Sequence, residues 1–408
     1  MNWGNNMFKV TLHKKNTNNL VKVLFLYWFA LVLWQNLGTN NSESPFDPII
    51  KIGILFVLSV YYLFHSNGKM SNAVIIFPFL CCLALTFLSE KQLSMSILVY
   101  YCFVALIIIY VFGIGNKYKV SFQNYKWFLN AVICVAVYTA VYALIFNTEQ
   151  FTSAFTISTA YGNELSSFFS SSHEYAMYMS AGIISCLFIL EDIHKGRLKY
   201  IIALCILIPN LILTYSRTSI FSLAIFIFFY ILLGSNKKMK RRLSIIIALG
   251  IALFLMSDKL QSFFANIVNK DGNLAGRDEL TEVALKFFKD SSPLKQVFGN
   301  GITASRNYME KMTTHPSVHN AYLQVLLYFG LSGIVWFVGY LISMIRTRIR
   351  LYKKNKIWGN RFLCLGIWCI FMMVANTHLI FTSPIDCYFL TIFAIVIPKY
   401  VTNYFKSI

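Results

Sequence analysis

The sequence predicts an all-α polytopic membrane protein, on three observations. Of its 408 residues, 57% are hydrophobic and only 13% charged, and mean hydropathy is +0.60. A soluble protein of this length needs far more polar surface. Apolar runs of spanning length recur along the chain. When those runs alternate across a bilayer, the 36 basic and 16 acidic residues separate onto opposite sides.

The runs fall at 20–37, 49–65, 71–89, 92–113, 126–146, 175–190, 198–214, 217–234, 243–256, 319–345, 360–379 and 383–398. They predict about 12 transmembrane helices, each near the roughly 20 residues a bilayer requires. Helices are demanded because unpaired backbone groups are too costly in lipid. The runs at 243–256 and 383–398 are short. Val21–Trp34 is apolar without a small-residue cleavage site, so it reads as a first span rather than a cleaved leader. The chain, 1–408, reads as a single membrane domain.

Placing the N-terminus in the cytoplasm puts most of the Lys and Arg inside. These include Lys9, Lys117, Lys195, the cluster Lys237–Arg242, the cluster Arg346–Arg361 and Lys406. Of the acidic residues only Glu191 and Asp192 fall inside. One missed span would invert everything after it, so the segregation supports the count, and both termini are expected in the cytoplasm. The net charge of +20 then follows from topology and anionic lipid. Nucleic acid is not the expected partner, because the basic clusters are short connectors with no folded module around them. All nine cysteines lie in apolar runs without metal-ligand spacing and read as small core hydrophobes; no metal or other cofactor is expected. No carboxylate falls in the middle of a span, which argues against a proton-driven carrier. The chain also has no phosphate-binding glycine loop, so any energy for chemistry comes from an activated substrate.

Two outer loops stand out. Asn147–Glu174 holds Glu149, Glu164, His173 and Glu174 and no Lys or Arg. The larger loop, 257–318, is extracytoplasmic between the ninth and tenth spans. Within it Leu280, Val283, Ala284, Phe287 and Phe288 recur at helical spacing from Arg277, predicting an amphipathic helix that lies on the membrane surface or caps a cavity. Asp290-Ser-Ser-Pro293 ends that helix, and Gly299-Asn-Gly301 is a turn. The loop closes on His315-Pro-Ser-Val-His319-Asn320-Ala-Tyr322.

Arg217, Arg277 and His319 all sit at outer membrane boundaries in this topology. Singly, each has a plain reading: a snorkelling arginine, a solvated charge beside Asp278, a helix-end histidine. Jointly they suit chemistry at a phosphorylated lipid. A guanidinium grips phosphate at two points and stays charged. Each charged hydrogen bond to it is worth roughly 1.5–3 kcal/mol. Histidine accepts a proton from an attacking sugar hydroxyl. Asn320 and Tyr322 are candidates to orient the acceptor, and His315, Arg306, His173 and Glu174 to contact substrate. His173 and Glu174 are also rival bases, since both begin an outer helix end.

The order of these pieces resembles the O-antigen polymerase and ligase superfamily. They are Leu213-Thr-Tyr-Ser216-Arg217; Ala275-Gly276-Arg277-Asp278-Glu279-Leu280 with Phe287-Phe288-Lys289-Asp290 and Pro293; Val297-Phe298-Gly299-Asn300-Gly301; and His319-Asn320-Ala-Tyr322-Leu323-Gln324 with Phe329-Gly330-Leu331-Ser-Gly333. The resemblance implies a fold similar to the C-type glycosyltransferases (GT-C-like). It implies glycan transfer from undecaprenyl pyrophosphate on the outer face of a bacterial cytoplasmic (inner) membrane, without metal or nucleotide sugar. Arg217 and Arg277 would bind the pyrophosphate, His319 would assist the acceptor hydroxyl, and the anomeric centre would invert. A chain-length regulator is a possible partner. Where the family has an Asn-Pro-Asn-like entry to the sixth span, this chain has Ser172-His173-Glu174-Tyr175. The expected activity is a repeat-unit polymerase for O-antigen, capsule or exopolysaccharide. The alternatives are an O-antigen ligase acting on lipid A core and a lipid-linked oligosaccharide flippase, for which no polar path through the membrane is found.

Overall fold

A computed structural model describes residues 73–88, 120–155, 164–169, 171–193, 195–233, 237–258, 277–313 and 318–374, together with isolated positions at 90, 97, 98, 101, 102, 104, 105, 261, 265, 315, 389, 393, 394, 397, 398, 401 and 402. The first two expected spans, and most of the fourth and twelfth, lie outside the described residues. Among the described residues every regular element is helical and no strand occurs. The helices are α1 (Ala73–Leu88), α2 (Phe122–Phe146), α3 (Thr148–Phe155), α4 (Ser172–Asp192), α5 (Leu198–Leu213), α6 (Arg217–Leu233), α7 (Lys237–Met256), α8 (Arg277–Asp290), α9 (Pro293–Phe298), α10 (Ile302–Thr313), α11 (Ala321–Lys354) and α12 (Lys356–Val374).

Three of them, α2, α4 and α11, are long and apolar enough to cross a membrane. The shorter apolar helices α5 and α6 and the stretch Phe77–Leu88 accompany them. Helix α4 is the centre of the bundle: every residue from Glu174 to Ile189 is buried. It packs on α2, α5 and α6, and α6 in turn packs on α12, which packs on α11. Small residues allow the close approach that membrane helices rely on. A Cβ at Gly182 of α4 would lie 2.6 Å from the Ala136 Cβ of α2 and 2.9 Å from Leu207 Cδ1 of α5. Polar side chains enter the mainly apolar core while many large apolar side chains face outward. Ser180, Ser185, Asn210, Ser219 and Ser222 are buried, whereas Phe221, Phe228, Leu232, Ile246 and Leu249 face outward. The buried groups find partners within the bundle, as Tyr175 donates to Asn210 Oδ1 at 2.6 Å and Ser222 to Met372 Sδ at 2.8 Å.

One expectation needs correcting. The apolar run predicts a continuous tenth span over 319–345, but the helical run starts at Ala321 and breaks at Gly330, whose φ of 63° and ψ of −157° are not helical. A uniformly apolar run carries no mark of such a break. Its physical cause is the docking of the large loop, described below.

Three tertiary contacts join residues that the alternating topology puts on one side. Glu90 reaches Ile302 and Thr303, His173 reaches Ser216, and Arg361 reaches Glu191 and Asp192. The last contact lies at the opposite end of α4 and α6 from the second.

Candidate active site at one end of the bundle

The turn between α5 and α6 organises the site. Thr214 and Ser216 are buried, and Tyr215 between them takes a left-handed backbone with φ of 52°. A side chain with a Cβ rarely adopts that region, so its surroundings must hold it. Its phenol donates to the Ala154 carbonyl at 2.8 Å, and the Leu165 amide donates to the Leu213 carbonyl at 3.0 Å. Burial raises the Tyr215 phenol above its usual pKa. The first outer loop therefore clamps the turn from one side.

Ser216 sits at the hub. Its Oγ lies 2.8 Å from His173 Nδ1 and 2.9 Å from Ser219 Oγ, and its amide donates to Thr214 Oγ1 at 3.2 Å. His173 is placed for this bond because Ser171 caps α4, accepting from the His173 amide at 3.1 Å. The Ser172 hydroxyl donates to the Glu164 carboxylate. Glu174 is buried at 3% exposure, so it is not a loop residue in water. Arg217 begins α6 beside this chain and is half-buried. A cation at a helix N-terminus opposes the helix dipole. Guanidinium and dipole together favour an anion at that position, as helix starts do for phosphate generally.

His319 takes φ of 51°, a second left-handed residue next to a motif position. It immediately precedes Asn320, the N-cap of α11, whose Oδ1 accepts from the Tyr322 amide at 3.0 Å and the Leu323 amide at 3.3 Å. The Tyr322 hydroxyl donates to the Ile370 carbonyl of α12 at 3.2 Å. Asn320 Oδ1 and the Tyr322 hydroxyl, both candidates to orient an acceptor, thus have structural partners. His315 is exposed, its ring edge-on to that of His319 with centroids 6.1 Å apart.

Helix α12 relates these pieces in space. Tyr322, three residues after His319, bonds Ile370, while Ser222, five residues after Arg217, bonds Met372. His319, Arg217 and His173 therefore share one end of the bundle. For Arg277 the structure describes the backbone, which opens α8; that helix packs on α10 and α11. Leu280 and Ala284, expected on its apolar face, are buried. The face is thus turned onto the protein.

The large loop is locked to α11 through backbone. The break at Gly330 frees carbonyls of the preceding turn. The Asn300 amide donates to Leu327 O at 3.0 Å, the Gly301 amide to Tyr328 O at 3.1 Å, and Ser305 Oγ to Leu327 O at 3.2 Å. Such replacement is how a broken helix survives in lipid. Glycine is required on both sides. A Cβ at Gly299 would lie 2.1 Å from Tyr328 O, and one at Gly330 would lie 2.6 Å from Gln296 O, Val297 O and Gly299 N. Thr86 of α1 donates to Phe298 O at 2.6 Å. Glu90 accepts from the amides of Ile302 and Thr303 and from the Tyr101 hydroxyl, capping α10 as an acid suits a helix start. Arg306, on α10, lies within hydrogen-bond and electrostatic reach of Tyr328. Among the described residues no group of three His, Cys, Asp or Glu side chains is placed to hold a metal ion.

Residues 202–338 match the O-antigen ligase family model. Over that segment the chain is similar to the O-antigen polymerase and ligase superfamily. Members of this superfamily are glycosyltransferase-like enzymes acting on lipid-linked glycans. The matched segment runs from α5 into α11, so it contains Arg217, Arg277, the Gly299–Gly301 turn, His319 and Gly330. His173 and Glu90 lie outside it. No curated protein matches the chain.

Sequence reasoning missed the His173–Ser216 contact and the capping role of Glu90. The one available signal for the first was that both residues begin outer helix ends. For the second there was none, because the partners are 212 residues apart.

Proposed function

We propose that the protein polymerises lipid-diphosphate-linked glycan repeat units on the outer face of a bacterial cytoplasmic membrane. In this reading the growing chain leaves undecaprenyl pyrophosphate for a hydroxyl at the non-reducing end of a new lipid-linked unit. The new bond joins that hydroxyl oxygen to the anomeric carbon, and the bond from that carbon to the diphosphate oxygen breaks with its electron pair. Displacement in line inverts the anomeric centre.

Arg217 and Arg277 are assigned to the diphosphate, whose negative charge grows as the bond breaks; two guanidinium groups serve there as counter-charge. His319 takes the proton of the acceptor hydroxyl. His173 holds the Ser216–Arg217 turn through its hydrogen bond and is the second candidate for the base. His315, on the exposed approach to His319, and Arg306 are assigned to glycan contact. The twelve-span arrangement, cytoplasmic termini, an extracytoplasmic 257–318 loop and a chain-length regulator as partner belong to the same proposal.

The observation that carries the reading is the family match over a segment holding both arginine motifs and the motif histidine, two of which share one end of the bundle. A second reading, an O-antigen ligase, is favoured by the description of the matched family. Against it stands a loop of about 60 residues, short for seating a lipid A core. Deletion of the gene followed by gel separation of the surface glycan distinguishes them. A single-repeat product marks a polymerase; bare core together with free lipid-linked polymer marks a ligase.

A further inference from the structure

A second polar site lies at the opposite end of α6 and α11. The inner ends of α6, α11 and α12 and the first turn of α7 enclose a cavity of about 620 Å³, a size typical of small-molecule sites. Its walls include Lys240, Lys356, Arg348, Asn360 and Tyr352, with Leu232 and Ile349 at its flank, and none of the described residues that line it is acidic. The buried Arg348 guanidinium donates to the carbonyls of Met344, Phe362 and Ala394, which leaves the two lysines to face a ligand. Leu232 is 59% and Ile349 50% exposed, so the cavity opens onto the apolar outer face of the bundle rather than into its core. Lys240 Nζ donates to the Leu232 carbonyl at 3.0 Å, which fixes the ammonium at the rim. One of its three N–H donors is used there, leaving two to serve a ligand. Lys356 Nζ stands 6.0 Å from the Tyr352 ring centroid. The Asn360 amide donates to the Leu233 carbonyl and ties α12 to the end of α6.

This combination has a narrow meaning. Two lysines beside an apolar flank, at the end of the bundle richest in Lys and Arg, match a molecule with an anionic head and a hydrocarbon body. We infer that the cavity seats the headgroup of an anionic glycerophospholipid. Its phosphate lies between Lys240 and Lys356 and its acyl chains run along Leu232 and Ile349. Basic pockets between helices at a cytoplasmic surface recognise lipid phosphate in this way. The apolar flank selects a lipid over a soluble phosphate. The inference is independent of the transfer reaction assigned to the other end.

The test is native mass spectrometry of the full-length protein released from nanodiscs of phosphatidylglycerol mixed with phosphatidylcholine. Retention of phosphatidylglycerol over phosphatidylcholine is expected, falling roughly ten-fold in the K240Q/K356Q variant and recovering in K240R/K356R, which keeps the charge. Inorganic phosphate at millimolar concentration is expected to leave the retained lipid in place. Retention unchanged in K240Q/K356Q, or displacement of the lipid by inorganic phosphate alone, overturns the assignment.

Discussion

Charge is handled differently at the two ends of the bundle. At the basic end Arg361 is neutralised by protein. Its Nε and one Nη each lie 2.9 Å from a carboxylate, of Glu191 and Asp192 respectively, and its guanidinium sits 4.5 Å from the Trp358 ring centroid. The Tyr230 hydroxyl donates to the same Glu191. At the other end Glu90 is held by two backbone amides and a phenol, all neutral, and His173 is held by a serine hydroxyl. An arginine saturated by two carboxylates is a structural tie with no capacity left for an anion. The His173–Ser216 hydrogen bond involves no carboxylate. The first arrangement fastens helices; the second suits chemistry.

The largest expected effect tests the tie. Arg361→Ala leaves two carboxylates at the bundle end without their cation, and breaking a buried pair in this way costs about 3–5 kcal/mol. Thermal unfolding in detergent is expected to show a large loss, and wild-type stability would mean that the tie contributes nothing. Arg217→Ala should do the reverse: glycan transfer falls by 100-fold or more, about 3 kcal/mol, with the unfolding temperature unchanged. Arg217→Lys is expected to restore little, since an ammonium lacks the two-point fork. Among the histidines, His319→Ala is expected to cost 10²–10⁴-fold in rate and His173→Ala less, because His173 acts through the Ser216 turn. A larger loss in His173→Ala exchanges their roles.

Smaller effects address the loop. Gly330→Ala forces a Cβ against three backbone atoms in a left-handed conformation, with an expected cost of about 1–3 kcal/mol. Proteolysis of the 257–318 loop should accelerate in this variant. Glu90→Gln keeps a hydrogen-bond acceptor and loses the charge at the start of α10, worth about 1 kcal/mol or less. A drop in stability equal to that of Gly330→Ala would show that the Glu90 charge matters more than the backbone clamp.

The contrast between loop and bundle also explains what the sequence revealed. The amphipathic stretch from Arg277, its end at Asp290 and the Gly299–Gly301 turn are local signals, and the structure has each of them, while the short helix that Pro293 opens was not anticipated. The helix starts at Ser172 and Arg217 were legible from hydropathy to within a few residues. The break at Gly330 was hidden because the apolar run continues through it. The reason for the glycine lies in a loop about 30 residues earlier in the chain. Hydropathy reports which residues enter the membrane but not which helices meet. The partners of His173 and Glu90, and the structural use of Asn320 and Tyr322, were therefore beyond it.

The central claim is transfer of glycan from a lipid diphosphate at the Arg217–His319 end. Its most direct test is reconstitution of the purified protein with a single synthetic undecaprenyl-pyrophosphate-linked repeat unit. The predicted result is a ladder of longer glycans with release of one undecaprenyl pyrophosphate per bond formed, absent in Arg217→Ala. Folded wild-type protein that yields no ladder, or an Arg217→Ala variant that yields the same ladder, contradicts the account.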